Sequence, residues 1–282
     1  MRLDGVGRRY GRREPWVLRG VDLRVPAGAL VRVEGANGGG KSTLLRLLAG
    51  IDLPSAGRVA GRPARTAYVP ERFPVALPLT ALGYLTHLGR VQGLRGAEAR
   101  RRAGRWLERF GAKDSARTPL EELSKGGSQK VAVAQALLAE PDLLVLDEAW
   151  TGLDARARAE LDTAVGERLA AGGAVVFVDH DPRRLADVPC AAYRVGGGRV
   201  VARPAGGGPA VVVEAVGEPG SSVPGGLPGA PLCEELPGGG CRLTVPAAHS
   251  DALLRALLDA RPGWHIRGVH SVAHAPGEEP AP

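Results

Sequence analysis

A run of nine residues, Gly35-Ala36-Asn37-Gly38-Gly39-Gly40-Lys41-Ser42-Thr43, constrains what this chain can fold into more than any other stretch. It fits the pattern G-x-x-x-x-G-K-[ST], a glycine-rich loop whose backbone N–H groups cradle phosphate oxygens. In such a loop the lysine ammonium reaches the β- and γ-phosphates and the serine hydroxyl reaches Mg²⁺. The flanks carry as much weight as the motif. Leu30-Val31-Arg32-Val33 before it reads as a short apolar strand, and Thr43–Ala49 after it is strong helix-forming sequence with Gly50 as a stop. The loop thus joins a strand to a helix N-terminus, where unpaired N–H groups and the helix dipole attract anions. That context points to a binder of a nucleoside triphosphate, the residues from Gly35 to Thr43 forming the pocket for its phosphates.

Three further strand ends supply polar groups. Arg65–Val69 reads as a strand closed by Pro70, and Glu71 follows at once. Leu143-Leu144-Val145-Leu146 is a continuous apolar run, the signature of a strand buried on both faces, and it delivers Asp147 and Glu148. Asp147 suits Mg²⁺ coordination and Glu148 suits activation of an attacking water. A second such run, Ala174–Val178, leads to Asp179-His180-Asp181, where His180 can sense or polarise the γ-phosphate. Polar residues beyond the carboxyl ends of strands are where open α/β sheets hold ligands. Between these runs, Leu123-Ser124-Lys125-Gly126-Gly127-Ser128-Gln129-Lys130 opens a helix with Val131, Ala134, Leu137 and Leu138 on one face and Pro141 at its end. Its N-terminus is a second anion site of serine hydroxyl, bare backbone and dipole. Thr151–Asp154 reads as a turn leading into a helix over 155–170. Two readings of Tyr10 stand: a ring for stacking on adenine, or a packing tyrosine on a sheet edge.

The remainder sorts into segments. Residues 75–122 carry helical spacing with arginines on the outer face and form a helical insert between strands. Tyr193–Val201 reads as a hairpin, and 206–209 as a flexible linker. Beyond it we expect a small α+β unit over 210–274, with strands at Ala210–Val216, Cys241–Val245 and Trp264–Val272, a helix at Asp251–Ala260 and a Gly/Pro-rich connection over 217–231. A disordered tail over 275–282 completes the chain.

Bulk properties exclude more than they assign. No apolar run approaches the ~18–20 residues that span a bilayer, and the N-terminus lacks the apolar core of a signal peptide. Cys190, Cys233 and Cys241 show no C-x-x-C spacing, so neither a zinc site nor a disulfide framework is indicated. The net charge of +7 is mostly arginine. No basic run interleaves with aromatics, and its densest cluster, Arg100-Arg101-Arg102, lies in a helix; direct nucleic-acid binding is not expected.

In this order and spacing the pieces over residues 1–205 resemble the ATP-binding subunit of ABC transporters. Gly35–Thr43 matches the Walker A loop, Leu123–Gln129 the signature, Leu143–Glu148 the Walker B strand with its catalytic glutamate, Gly152–Asp154 the D-loop and His180 the switch histidine. Tyr10 falls where the family's adenine-stacking aromatic lies. The resemblance implies an α/β P-loop NTPase fold with an ABC-type helical insert and an antiparallel β subdomain. It implies ATP and Mg²⁺ as ligands, with Lys41, Glu148 and His180 catalytic and with Ser42, Asp147 and Glu71 at the metal. Ser124, Gly126 and Gln129 would contact ATP across a head-to-tail pair of subunits, identical or different, with Asp154 in the D-loop. The partner would be a separate membrane permease, docked at the helical insert, which places the chain in the cytoplasm, peripheral on the inner face of the cell membrane. The C-terminal unit resembles small domains of some exporter-type ATPases and points to export.

Several positions depart from the family pattern. Glu71 stands where a glutamine is usual, Lys125 and Gly127 vary the signature, Ala149-Trp150 replaces Pro-Thr, and Gly39 adds flexibility to the loop. Two alternatives stand beside this reading: an ABC-type ATPase acting on DNA, ribosomes or another complex, and a subunit that traps ATP without hydrolysing it. The absence of long coiled-coil insertions and of a fused second copy counts against the first. Intact Lys41, Asp147, Glu148 and His180 count against the second.

Overall fold

The computed structural model describes residues 1–71, 73, 76–181, 183–203, 210–217, 223–224, 227–229, 231–236, 240–261 and 263–272. The expected linker at 206–209 and tail at 275–282 lie outside them. The chain divides into two compact units, Met1–Val188 with Tyr193–Val201, and Pro189–Ala192 with Ala202–Pro282.

The first unit opens with strands β1 (Arg2–Arg8), β2 (Leu18–Arg24) and β3 (Leu30–Glu34), then helix α1 (Lys41–Ala49), β4 (Ala56–Ala60) and β5 (Thr66–Val69). Helices α2 (Ala81–Val91), α3 (Gly96–Arg109) and α4 (Lys125–Leu138) follow, with two short 3₁₀ turns between α3 and α4. Then come β6 (Leu143–Asp147), α5 (Ala155–Ala170), β7 (Ala174–Val178), β8 (Cys190–Gly196) and β9 (Arg199–Arg203). Six strands form one sheet in the order β5-β6-β7-β3-β8-β9, with β5, β6, β7 and β3 mutually parallel. The all-apolar faces of β6 and β7 are buried at every residue, as a doubly covered parallel strand requires. A second sheet, β2-β1-β4, is antiparallel. Leu44, Leu45, Leu47 and Leu48 of α1 join one core with residues of both sheets, so the helix behind the glycine-rich loop is clamped between them. This is the P-loop NTPase fold with a helical insert and an antiparallel β subdomain.

The second unit contains β10 (Ala210–Val216), β11 (Leu232–Leu236), β12 (Gly240–Pro246), α6 (Ala247–Asp259) and β13 (His265–Val272) in an antiparallel sheet ordered β11-β12-β10-β13. Its core is Val213, Leu243, Val245, Leu253, Leu257 and Trp264. Two expectations change here. β11 is an additional strand, and α6 starts at Ala247, directly after β12, rather than at Asp251.

Candidate nucleotide site

The glycine-rich loop is shaped by close backbone packing. Gly35 has φ 147°, and a Cβ there would lie 2.2 Å from the Val195 carbonyl oxygen on β8, so only glycine fits. Gly40 caps α1 in the left-handed region, φ 103°, without a side-chain hydrogen bond, and no acid occupies the first turn. The first N–H groups of α1 therefore face outward uncapped beside the positive end of its dipole, an arrangement that takes an anion. Lys41 is 8% exposed. Its Nζ donates to the Gly35 and Ala36 carbonyls at 2.9 and 3.1 Å, neutral partners that leave its charge uncompensated for a phosphate.

Opposite Ser42 stands Asp147, 3% exposed at the end of β6. It accepts from the Tyr68 hydroxyl at 3.0 Å and from the Ser42 hydroxyl. Burial raises its carboxyl above the usual range, the charges of Glu148 and Glu71 push the same way, and the two hydroxyls oppose them. A buried carboxylate so destabilised when ionised, with a hydroxyl oxygen beside it, fits a divalent cation shared with phosphate oxygens. No group of three or more His, Cys, Asp or Glu side chains placed to hold a metal ion exists among the described residues. Tyr68, which sequence reading passed over, has its phenol pushed up by burial and by Asp147.

Glu148 leaves β6 in the left-handed region, φ 51°, held there by its N–H to the Val178 carbonyl at 3.1 Å. A non-glycine residue in that region is uncommon. The turn aims the carboxylate at the end of β7, where Glu148 Oε1 accepts from His180 Nε2 at 2.8 Å. The groups at the ends of β6 and β7 thus meet directly. Glu71 lies exposed beyond β5, and its charge is felt at Asp147.

The Ser124 hydroxyl oxygen caps α4, accepting from the Gly127 N–H at 3.0 Å. A Cβ on Gly126 would sit 2.8 Å from the Gly152 carbonyl, so this glycine permits the D-loop turn to touch α4. Gln129, expected with Ser124 and Gly126 on the nucleotide-facing surface, is turned inward instead. It is 4% exposed, and its Nε2 donates to the Ala149 carbonyl at 3.1 Å. On a helix it falls on the opposite side from Ser124's exposed end, and the carboxamide ties α4 to the segment after Glu148. Asp154 caps α5 through the Ala157 N–H at 2.9 Å and pairs with Lys130 Nζ at 2.6 Å. Lys130, and then that N–H, hold its carboxyl below the usual range.

Tyr10 is 49% exposed. Its hydroxyl shares a hydrogen bond with Thr43 Oγ1 at 3.0 Å, and Arg8 lies over the ring 4.7 Å from its centroid. The ring is therefore anchored at the foot of α1 through the buried Thr43, while Asn37 is exposed on the loop.

Comparison with known proteins agrees with this geometry. The ABC transporter family model matches residues 18–151. The zinc import ATP-binding protein ZnuC of Cereibacter sphaeroides is 43% identical over 177 residues, 61% of this chain and 69% of its own. The daunorubicin resistance ATP-binding protein DrrA3 of Streptomyces coeruleorubidus is 37% identical over 191 residues, 62% of this chain and 58% of its own. A solved ATP-binding subunit of an ABC transporter superposes with a TM-score of 0.64 at 28% identity, covering 71% of this chain and 87% of that one. On these likenesses the chain belongs to the ATP-binding subunits of ABC transporters and is an ATPase of that family.

Proposed function

We propose that two such subunits, identical or different, pair head to tail around two ATP molecules and drive a separate membrane permease. The observation that carries the hydrolytic reading is the direct Glu148–His180 contact at 2.8 Å beside the buried Asp147. In this reading the uncapped N-terminus of α1 and Lys41 bind the phosphates. Ser42 and Asp147, with Glu71 near, would hold Mg²⁺, which would supply positive charge to the phosphates. Glu148 accepts the proton of the attacking water while His180 holds its carboxylate in line. Tyr10 offers its exposed ring to the base.

Pairing is supported by the signature residues. Ser124 and Lys125 are exposed at the head of α4, and the one hydrogen bond of the Ser124 side chain among the described residues is to its own helix. That surface is presented to a second molecule and Ser124 and Gly126 meet the partner's ATP, with Asp154 at the same interface. No helix among the described residues is long and apolar enough to cross a membrane. In this reading the spanning component is another chain and this subunit sits peripherally on the cytoplasmic face. We assign the direction as export, on the small α+β unit that follows the ATPase unit.

Glu148→Gln should slow hydrolysis roughly 10²–10⁴-fold, the range for removal of a general base, while ATP binding persists. A rate near wild type would sink the assignment. The same variant, tagged and held with ATP, should retrieve a multi-span membrane protein from native membranes. Recovery of soluble or nucleic-acid partners alone would overturn the transport reading, and uptake rather than extrusion by the reconstituted complex would overturn export.

A further inference from the structure

Trp150, two residues beyond Glu148, belongs to no part of the site described above. It is 2% exposed, yet its polar edge is engaged: Nε1 donates to Asp162 Oδ1 on α5 at 2.8 Å. The other oxygen of Asp162 accepts from Arg184 Nη1 at 2.9 Å, and the Arg184 guanidinium lies over the Trp150 ring, 5.3 Å from its centroid. The same guanidinium approaches Asp179 Oδ2 at 3.6 Å, immediately before His180. The Trp150 ring meets Phe177 edge-on at 5.7 Å, and Phe177 lies three residues before His180 on β7. Arg32 lies 4.9 Å from the Phe177 centroid and donates to the backbone carbonyls of Asp181, at 3.2 Å, and Arg184.

These contacts close a circuit. Its short arm is the Glu148–His180 hydrogen bond. Its long arm runs from Glu148 along two residues to Trp150, across Asp162 to Arg184, and back along four residues to His180. Asp162 stands in the middle of a sixteen-residue helix, so both loop ends are referred to one rigid element. Simple packing is the plainer explanation of Trp150, and it accounts for the ring. It does not account for a carboxylate dividing its two oxygens between the indole N–H and an arginine whose Nε in turn lies 3.6 Å from Asp179 Oδ2.

We infer that Trp150, Asp162 and Arg184 form a positioning unit that fixes the approach of His180 to Glu148. This rests on the reading that Glu148 and His180 carry hydrolysis. Misplacement of a catalytic group by about an ångström can cost 10²-fold, so a partial loosening should cost roughly 5–20-fold.

The test uses the full chain with MgATP. Trp150→Phe keeps a ring and removes the donor, and Asp162→Asn keeps an acceptor and removes the charge that Arg184 needs. Each should lower kcat by about 5–20-fold, leave KM for ATP within about two-fold, and shift Tm by less than about 5 °C. The double variant should be little worse than the more damaging single one, because one circuit is already open. An unchanged kcat in both, a loss that tracks the folded fraction, or fully multiplicative effects would each overturn the inference. Should Asp162→Asn not fold, Arg184→Lys reads the same arm by losing the planar fork while keeping charge; an unchanged kcat there has the same force. Glu148→Gln, measured alongside, separates the two levels. If it abolishes hydrolysis while the circuit variants do nothing, only the circuit falls; if it leaves hydrolysis intact, the reading of the site itself falls.

Discussion

Gly126→Ala should separate the stability of this protein from its activity. Gly126 has ordinary helical geometry near the start of α4, so alanine there gains up to about 0.5–1 kcal/mol from reduced backbone freedom in the unfolded chain. The added Cβ, however, would lie 2.8 Å from the Gly152 carbonyl oxygen. Contact becomes ordinary only when the two have parted by roughly half an ångström. The obstacle is backbone, and Gly152 sits at φ 83° in the turn that leads to Asp154, so the whole turn must move. Such overpacking typically costs about 1–3 kcal/mol. The gain offsets part of the cost, the net loss is at most about 2.5 kcal/mol, and Tm should fall by no more than roughly 10 °C. Activity has no such compensation: a shift of this size in the D-loop and in the surface around Ser124 should lower kcat by roughly 10-fold or more. Gly127→Ala is the internal control. Its Cβ would meet only the Ser124 hydroxyl and the Leu123 side chain, at 3.3 Å and beyond, so stability should hold and activity should change little. The assay is steady-state hydrolysis with calorimetry on both variants. Full activity in Gly126→Ala, or equal loss in Gly127→Ala, would refute the argument that the signature glycine serves the D-loop contact.

Asp147→Asn should abolish hydrolysis and yet raise Tm near neutral pH. Its carboxyl is held above its unfolded value by burial and by Glu148 and Glu71, so the folded state binds that proton more tightly and ionisation costs stability. The gain, about 2–4 °C for each kcal/mol recovered, should fade as pH falls through the raised pKa; calorimetry across pH that finds no gain would contradict the assigned cause. Tyr68→Phe removes a hydroxyl that opposes the rise, so protons should compete harder with the metal and the Mg²⁺ requirement at acid pH should increase. Titration of activity with Mg²⁺ at several pH values checks this, and an unchanged requirement counts against it.

What was legible in the sequence was what is contiguous. The phosphate loop declares itself because its glycines, lysine and flanking strand and helix are adjacent in the chain. β6 and β7 are legible because a strand buried on both faces needs no alternation. β1 escapes for the converse reason: Gly5 at φ 56° shifts the register between Leu3 and Val6, so two residues three apart both point inward and the period-two pattern is lost. β11 is hidden by Glu234-Glu235 in its middle and a Gly/Pro-rich stretch before it. Gln129 was misplaced because helical spacing cannot say which side of α4 the Ala149 carbonyl will approach. Tyr68, Lys130 and Asp162 were missed because their partners, Asp147, Asp154 and Trp150, are distant in the chain or in another element.

Those illegible contacts give the site its mechanical character. Gln129 bonds the Ala149 carbonyl, Gly126 abuts the Gly152 carbonyl, and Lys130 pairs with Asp154. Along one helix face, α4 is fastened at three points to the six residues that follow Glu148. Asp154 in turn caps α5, and α5 carries the Asp162 that holds Trp150 and Arg184. In the proposed pair, a phosphate settling on the head of α4 therefore acts on an element tied by direct contacts to its own subunit's Glu148 and, through α5, to His180. In that proposed pair, occupancy of one site would be communicated to the catalytic groups of the other, because one run of sequence, Ala149–Asp154, is the surface on which the signature helix rests and also the continuation of the strand that presents Glu148.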